Sequence, residues 1–266
     1  MRHTRQGCRP CHPLPSRPRW LTVGLIVITL VASINLRDIA AWAGWTVPGL
    51  PMPFGGAVVD NGLGVLLALA VAAWLLRPGH SLVRAVGLAG TGWQGPAVVL
   101  LATVPCWFGL WWLGGVGTDW TWLSLLMLAV LLPLAEEVIF RGVGFIFVHR
   151  QMRWPWWPAA LLQSAVFGAI HWWSFGGGGG VALQVLAMTF IGGLVFAALC
   201  SLDRDTVWSA VVLHVSLNMA WNVMQVSETT AIGWQGNSLR LSAALLAVLG
   251  LVALRQWRRR TECRHR

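Results

Sequence analysis

Glu136 and Glu137 stand side by side in a run that is otherwise almost wholly apolar, from about Trp120 to Val148, and Arg141 follows four residues after the second acid. Charges there are costly: on insertion scales each one at a bilayer centre costs about 2.5 to 3.5 kcal/mol. Neighbouring residues on a helix point about 100° apart, so the two carboxylates cannot share one direction. Glu137 and Arg141 have the i,i+4 spacing of an ion pair, with the acid on the favourable N-terminal side. Glu136 is then left to face another partner and to act as a proton acceptor. A purely structural ion pair between helices competes for the same residues.

Histidine supplies the next signal. His171 lies four residues after Phe167 in a second apolar run, and His214 lies four residues before Asn218 in a third. Asn222 and Gln225 continue the face of His214, which makes a polar stripe at helical period through an apolar helix. In lipid such a stripe faces the bundle interior or a water-filled cavity. Measured from each helix's inner end at 1.5 Å per residue, His214, Glu136 and His171 fall at roughly 10, 16 and 20 Å depth. The three are therefore expected to meet in one cavity that opens toward the cytoplasmic half.

The elements that position these groups follow from composition. Hydrophobic residues make up 56% of the 266 and charged residues 11%, less than half the usual charged share. That balance fits a polytopic membrane protein better than one or two soluble domains. Apolar runs occur at about 20–36, 57–76, 96–117, 120–147, 156–173, 181–202, 206–225 and 238–257. Most approach the twenty or so residues that a spanning helix needs. The second is the weakest, because Asp60, Asn61 and two glycines interrupt its start. The expected fold is an all-α bundle of about eight transmembrane helices.

Arginine placement tests that count. There is no lysine, and with a cytoplasmic N-terminus sixteen of the nineteen arginines fall on the inner side. Arg37 and Arg240 fall outside, and Arg141 lies in the membrane. This asymmetry predicts that both termini are cytoplasmic. It also accounts for the net charge of +10 without nucleic acid as a partner. The plentiful tryptophans are expected at the two interfaces. Asp38, Asp60, Asp119, Glu228 and the Asp203–Arg204–Asp205 cluster read as solvated charges at helix ends.

The tails add little chemistry. Residues 1–19 form a basic, proline-rich tail, and the helix after it reads as an uncleaved signal anchor. Cys8-Arg9-Pro10-Cys11-His12 matches the c-type haem attachment pattern. That chemistry belongs to the outer side, whereas the tail is expected inside. A zinc site shared by Cys8, Cys11, Cys263 and His265 is a second option, and two disordered basic tails are the simplest. Cys106 and Cys200 read as packing residues.

Glu136-Glu137-x-x-x-Arg141, Phe167-x-x-x-His171 and His214-x-x-x-Asn218 together resemble the three motifs of the CPBP (or ABI) family. These are the type II CAAX prenyl protease and bacteriocin-processing intramembrane proteases. The resemblance spans about residues 120–225. It implies a multi-pass membrane endopeptidase with its catalytic core over 120–225. Outside that core the apolar and charge pattern alone gives accessory helices over 20–119, an outer loop and last helix over 226–257, and a basic tail over 258–266. It implies Glu136 as the base that activates water, assisted by His171. His214 and Asn218 would bind the oxyanion, and Glu137 with Arg141 would hold the geometry. Two histidines and a glutamate are also a zinc ligand set. If Glu136, His171 and His214 held zinc, Glu137 would be the base; the metal-free glutamate reading is preferred.

The substrate is expected to be a membrane-anchored or lipid-modified protein or a peptide, and the setting a bacterial plasma membrane. Two other functions remain open on the residues alone. A proton- or ion-coupled transporter would use the same intramembrane acids and histidines, but no internal repeat is visible. A non-catalytic immunity or scaffold protein could also keep the fold. The substrate's identity, the cleavage position and the oligomeric state are not written in the sequence.

Overall fold

The computed structural model describes residues 19–227, 229–230 and 233–264. The tail motif of Cys8, Cys11 and His12, its proposed partner His265, and Glu228 lie outside the described residues; so does the side chain of Cys263. Each of the eight apolar runs forms a long helix. They are α1 (Arg19–Ile34), α3 (Gly55–Leu75), α5 (Gln94–Gly114), α6 (Trp122–Arg150), α7 (Trp156–Ser174), α8 (Gly179–Leu202), α9 (Trp208–Val223) and α10 (Trp234–Arg264). Two short helices, α2 (Leu36–Trp42) and α4 (Leu82–Ala85), sit in the connections. Among the described residues there is no strand, only an isolated bridge between Val116 and Met224.

Five of these helices (α3, α5, α6, α8 and α10) are long and apolar enough to cross a membrane. The count becomes six if α1 and α2, which meet at 90°, form one broken span. The bend falls at Asn35, whose side-chain amide donates to Val31 O at 2.8 Å and so competes with the backbone pattern. The two helices that fall short later in the chain are α9, at 16 residues, and α7, which is long enough but interrupted by Gln163, Ser164 and His171. These are the helices that carry the site histidines. Large apolar side chains such as Leu101 (70% exposed) and Leu245 (60%) cover the outer faces of the long helices. Hydrocarbon, not water, is the surrounding such a surface fits.

The centre of the bundle is α6. A capping box between Thr121 and Ser124 starts it. It is wound as a π-helix over Leu125–Leu131 and again over Glu137–Phe147, on either side of an α-helical stretch that contains Pro133. Wide turns of this kind are rare and concentrate at functional sites. Every residue from Glu137 to Phe147 is buried, because α1, α3, α7 and α8 all pack on this segment. Gly144 makes that approach feasible, since a side-chain carbon there would stand only 3.1 Å from Leu30 and 3.2 Å from Gln163.

Polar tethers inside the bundle join helices that hydrophobicity alone would leave free to slide. Gln163 of α7 donates to Gly193 O of α8 at 2.9 Å. Thr103 and Trp107 of α5 both bond Ser216 Oγ of α9, at 2.8 and 2.9 Å. Trp156 donates to Ser201 Oγ at 2.8 Å, so some tryptophans are internal struts as well as interface residues. Cys106 and Cys200 are buried and free, as packing residues would be.

The solvated-charge reading of the acids needs correction at three positions. Asp203 is 1% exposed and accepts from Ser209 Oγ at 2.7 Å and from Thr206 Oγ1 at 3.2 Å. These hydroxyls sit in the turn that enters α9, and they make the buried carboxylate tolerable. Asp205 pairs with Arg150, and Asp60 pairs with Arg37 at 3.4 Å. That pair explains how α3 carries an acid in its second turn. The polar stripe is also shorter than its spacing implied. Helix α9 ends at Val223, and Gln225 lies beyond it, its N–H bonded to Gly115 O.

Candidate active site

The two adjacent glutamates have different surroundings. Glu137 is fully buried, and its Oε1 lies 3.3 Å from Arg141 Nη1 and 2.8 Å from His214 Nδ1. The pairing anticipated from i,i+4 spacing survives the π-winding of this stretch. Arg141 is also fully buried, with its guanidinium carbon 4.5 Å from the ring centres of both Phe167 and Phe196. Two aromatic faces thus hold a cation that would otherwise be poorly solvated. Through these contacts the Glu137–Arg141 pair links α6 to α7, α8 and α9.

Glu136 points elsewhere. It is partly exposed and lines a cavity of about 210 Å³ together with His171 and His214. Its Oε2 stands 3.9 Å from His214 Nε2, too far for a direct hydrogen bond. The apolar walls come chiefly from α8, α9 and α10, with Ile191, Val195, Leu217 and Leu241 among them. The three residues expected to share a cavity therefore do so, although they lie up to 78 positions apart in the chain.

Both imidazoles are held by the same nitrogen. His171 Nδ1 donates to Phe167 O at 2.9 Å, and His214 Nδ1 donates to the Glu137 carboxylate at 2.8 Å. Each contact makes Nδ1 the donor, because a carbonyl or carboxylate can only accept, and leaves Nε2 on the cavity side. His214 also stacks on Phe196, 5.2 Å between centres and 22° between planes. A carboxylate behind a histidine fixes ring orientation in catalytic and metal sites alike. Spacing had separated Glu137 from Glu136; it did not show that Glu137 reaches His214, a contact between helices 77 residues apart.

Asn218 lies one turn beyond His214 on α9 and is not part of the cavity wall. Its side-chain amide donates to Leu128 O at 3.4 Å, and its backbone carbonyl accepts from the Asn222 side-chain amide at 2.8 Å. It joins α9 to the first wide turn of α6. As the side chains stand, no three His, Cys, Asp or Glu residues among those described are grouped closely enough to hold a metal ion. Glu136, His171 and His214 do not make a ligand cage in this arrangement.

One wall residue carried no role in the sequence reading. Arg240 of α10 lines the same cavity, with its guanidinium carbon 3.9 Å from the centre of the Trp221 ring. The supporting tryptophan sits on another helix, so no local spacing could have revealed the contact.

A helical membrane bundle with a carboxylate, two oriented histidines and a small internal cavity defines a class: an intramembrane site equipped for acid–base chemistry. Residues 118–220 match the family model of the type II CAAX prenyl endopeptidases, described as Rce1-like. This segment contains all six motif residues and is similar to that family, and the chain is an integral membrane protein. No curated protein and no solved structure matches the chain.

Proposed function

We propose that this protein is an intramembrane endopeptidase of the CAAX-processing type, in which Glu136 activates the attacking water. The observation that carries the reading is the shared cavity of Glu136, His171 and His214, within a segment similar to a protease family. A water bonded to Glu136 Oε2 and His214 Nε2 at about 2.8 Å each would sit on the cavity side of the two groups. Glu136 takes a proton from that water as its oxygen attacks the peptide carbonyl, and later returns the proton to the departing amine. One water O–H bond and one C–N bond break, and one C–O bond and one N–H bond form. His171 Nε2 assists in placing the water. His214, as the imidazolium whose Nδ1–H is held by Glu137, donates its Nε2–H to the oxyanion, and Arg141 holds that carboxylate in turn. Asn218 supplies a second donor when it exchanges its long contact to Leu128 for the substrate oxygen, since such contacts tighten only with substrate bound. An oxyanion donor is worth about 2.7 to 4 kcal/mol of barrier.

The reading uses no metal. Its substrate is a membrane-anchored, lipid-modified or otherwise membrane-inserted peptide. The arginine asymmetry supports eight spans with both termini cytoplasmic; a bacterial plasma membrane is the setting that the composition and the bacteriocin-processing resemblance suggest. The family match favours this reading over a transporter. Comparing protein N-termini in membranes of wild-type and Glu136→Gln cells tests it. Peptides that vanish only in the variant are expected; identical sets of N-termini would refute it.

A further inference from the structure

A second cavity, of about 620 Å³, lies where α6 ends and α9 begins. Three connections wall it: residues 79–91 between α3 and α5, Arg150 and Gln151 at the end of α6, and residues 204–206 between α8 and α9. Hydrogen bonds fix two of these walls to each other. Val207 N–H donates to Gly87 O at 3.0 Å, Trp208 Nε1 to Leu88 O at 3.1 Å, and Arg204 Nη1 to Thr91 O at 3.3 Å. Gly87, at φ 70°, permits the approach, because a side-chain carbon there would stand 2.8 Å from Asp205 O. Arg204 and Asp205 both hold left-handed backbone, at φ 60° and 59°. Two consecutive residues with side chains adopt that conformation only where the surrounding structure enforces it.

The charge on these walls is unbalanced. Arg84, Arg150 and Arg204 stand against one acid, Asp205, so with His80 neutral the three cations and one anion leave a net charge of +2. Asp205 is committed to Arg150. Among the described residues, neither Arg84 nor Arg204 has a carboxylate within ion-pair distance. Like charges gathered around a hollow repel one another, and an anion between them removes that cost.

The position of the cavity narrows the kind of anion. Trp93 at the start of α5, Trp157 in the first turn of α7 and Val83 of α4 are all exposed, and they lie at this same end of the bundle. Indoles at helix ends mark the headgroup level of a bilayer. It is also the end that the arginine asymmetry assigns to the cytoplasm. A guanidinium fork matches phosphate oxygens with two parallel hydrogen bonds, and basic pockets between helix ends suit anionic headgroups. No Phe or Trp lines the cavity, so a nucleotide base would have no aromatic wall of that kind to stack on.

We propose that this cavity is a binding site for a phosphate ester of net negative charge, gripped by Arg84 and Arg204 beside the Arg150–Asp205 pair. An anionic lipid headgroup and a soluble phosphate ester share that chemistry. The site is separate from the Glu136 cavity and does not depend on the protease reading. Its occupant ties the end of α6 to the entry of α9, the helices that carry Glu136 and His214.

The test is calorimetric titration of the purified full-length protein in a non-ionic detergent. The probes are dihexanoyl phosphatidylglycerol, dihexanoyl phosphatidylcholine and glycerophosphoglycerol, which is the first headgroup without its chains. Wild-type protein is expected to bind phosphatidylglycerol about ten-fold or more tightly than phosphatidylcholine, the value of a charge-assisted hydrogen bond. Arg84→Gln and Arg204→Gln should each remove about that much affinity, and Arg84→Lys should retain part of it. Both positions are exposed, so the variants should unfold at the wild-type midpoint without lipid. Arg259→Gln removes an exposed charge outside the cavity and should weaken binding by less than about two-fold.

Tighter binding of the lipid than of glycerophosphoglycerol supports the site and assigns it to the membrane. Equal binding of the two, with the same need for Arg84, supports the site and assigns it to a soluble ester. Failure of both to bind overturns the proposal. So does equal binding of phosphatidylglycerol and phosphatidylcholine, or an affinity that Arg84→Gln and Arg204→Gln leave unchanged. An equal loss in Arg259→Gln overturns it as well, because general surface charge then accounts for the binding.

Discussion

Replacing either neighbouring glutamate with glutamine removes one charge and little volume, yet the two changes should have very different consequences. In Glu137→Gln the fully buried Arg141 loses its ionic partner and keeps only the faces of Phe167 and Phe196. Removing one member of a buried ion pair costs about 3 to 5 kcal/mol, because the other charge stays uncompensated. The glutamine oxygen can still accept from His214 Nδ1, so the loss reflects charge rather than a missing hydrogen bond. In Glu136→Gln the side chain is 23% exposed, and its ion-pair contact, present when His214 is protonated, is long at 3.9 Å. An ion pair that open is worth about 1 kcal/mol or less. The gap between the variants should therefore be about 2 to 5 kcal/mol. Reversible unfolding in mixed micelles, followed by the fluorescence of the 19 tryptophans, measures it. Equal destabilisation, or a larger loss for Glu136→Gln, would refute the division of labour between the two acids.

Asp203 gives a pH signature outside the membrane. Burial raises its carboxyl above the ordinary value of 3.8, against the lowering effect of Ser209 and Thr206 and of Arg258 and Arg204. A raised value in the fold means that the folded state prefers the proton. The stabilisation is full below the ordinary carboxylate range and is lost as pH rises through the folded value. Asp203→Asn, which keeps an acceptor for Ser209, should flatten the part of the stability profile that falls as pH rises above the ordinary carboxylate value; an unchanged slope contradicts the assignment. The metal question has its own readout. Cleavage by purified protein should survive prolonged treatment with EDTA or phenanthroline, whereas loss of activity that zinc restores would replace the metal-free mechanism.

Helix formation was legible because it needs only local information. Eight apolar runs became eight long helices, and the weak start of the second is accounted for by Arg37, which pairs with Asp60. The separation of Glu136 from Glu137 was legible for the same reason, since the 100° step and the i,i+4 partner lie within one turn of chain. The depth estimate for Glu136, His171 and His214 also used nothing beyond helix rise, and the three share a cavity. What escaped depends on contacts between helices. The bond from His214 to Glu137, the seat of Arg240 on Trp221 and the hydroxyl shell of Asp203 have no signature in spacing. The π-winding around Glu137 was hidden too, because an apolar run reads alike at 3.6 residues per turn and in a wider helix. Gln225 was assigned to a helix that ends two residues earlier, where Met224 pairs with Val116 instead.

The central claim is that Glu136, and not its neighbour, activates the water. The direct measurement is the cleavage rate of a prenylated peptide by purified wild-type protein and by Glu136→Gln, compared at matched folded fractions. A positioned general base contributes about a hundred- to ten-thousand-fold, so kcat should fall by at least about a hundred-fold while binding of the peptide persists. A Glu136→Gln protein that cleaves the same bond at the wild-type rate would contradict the account.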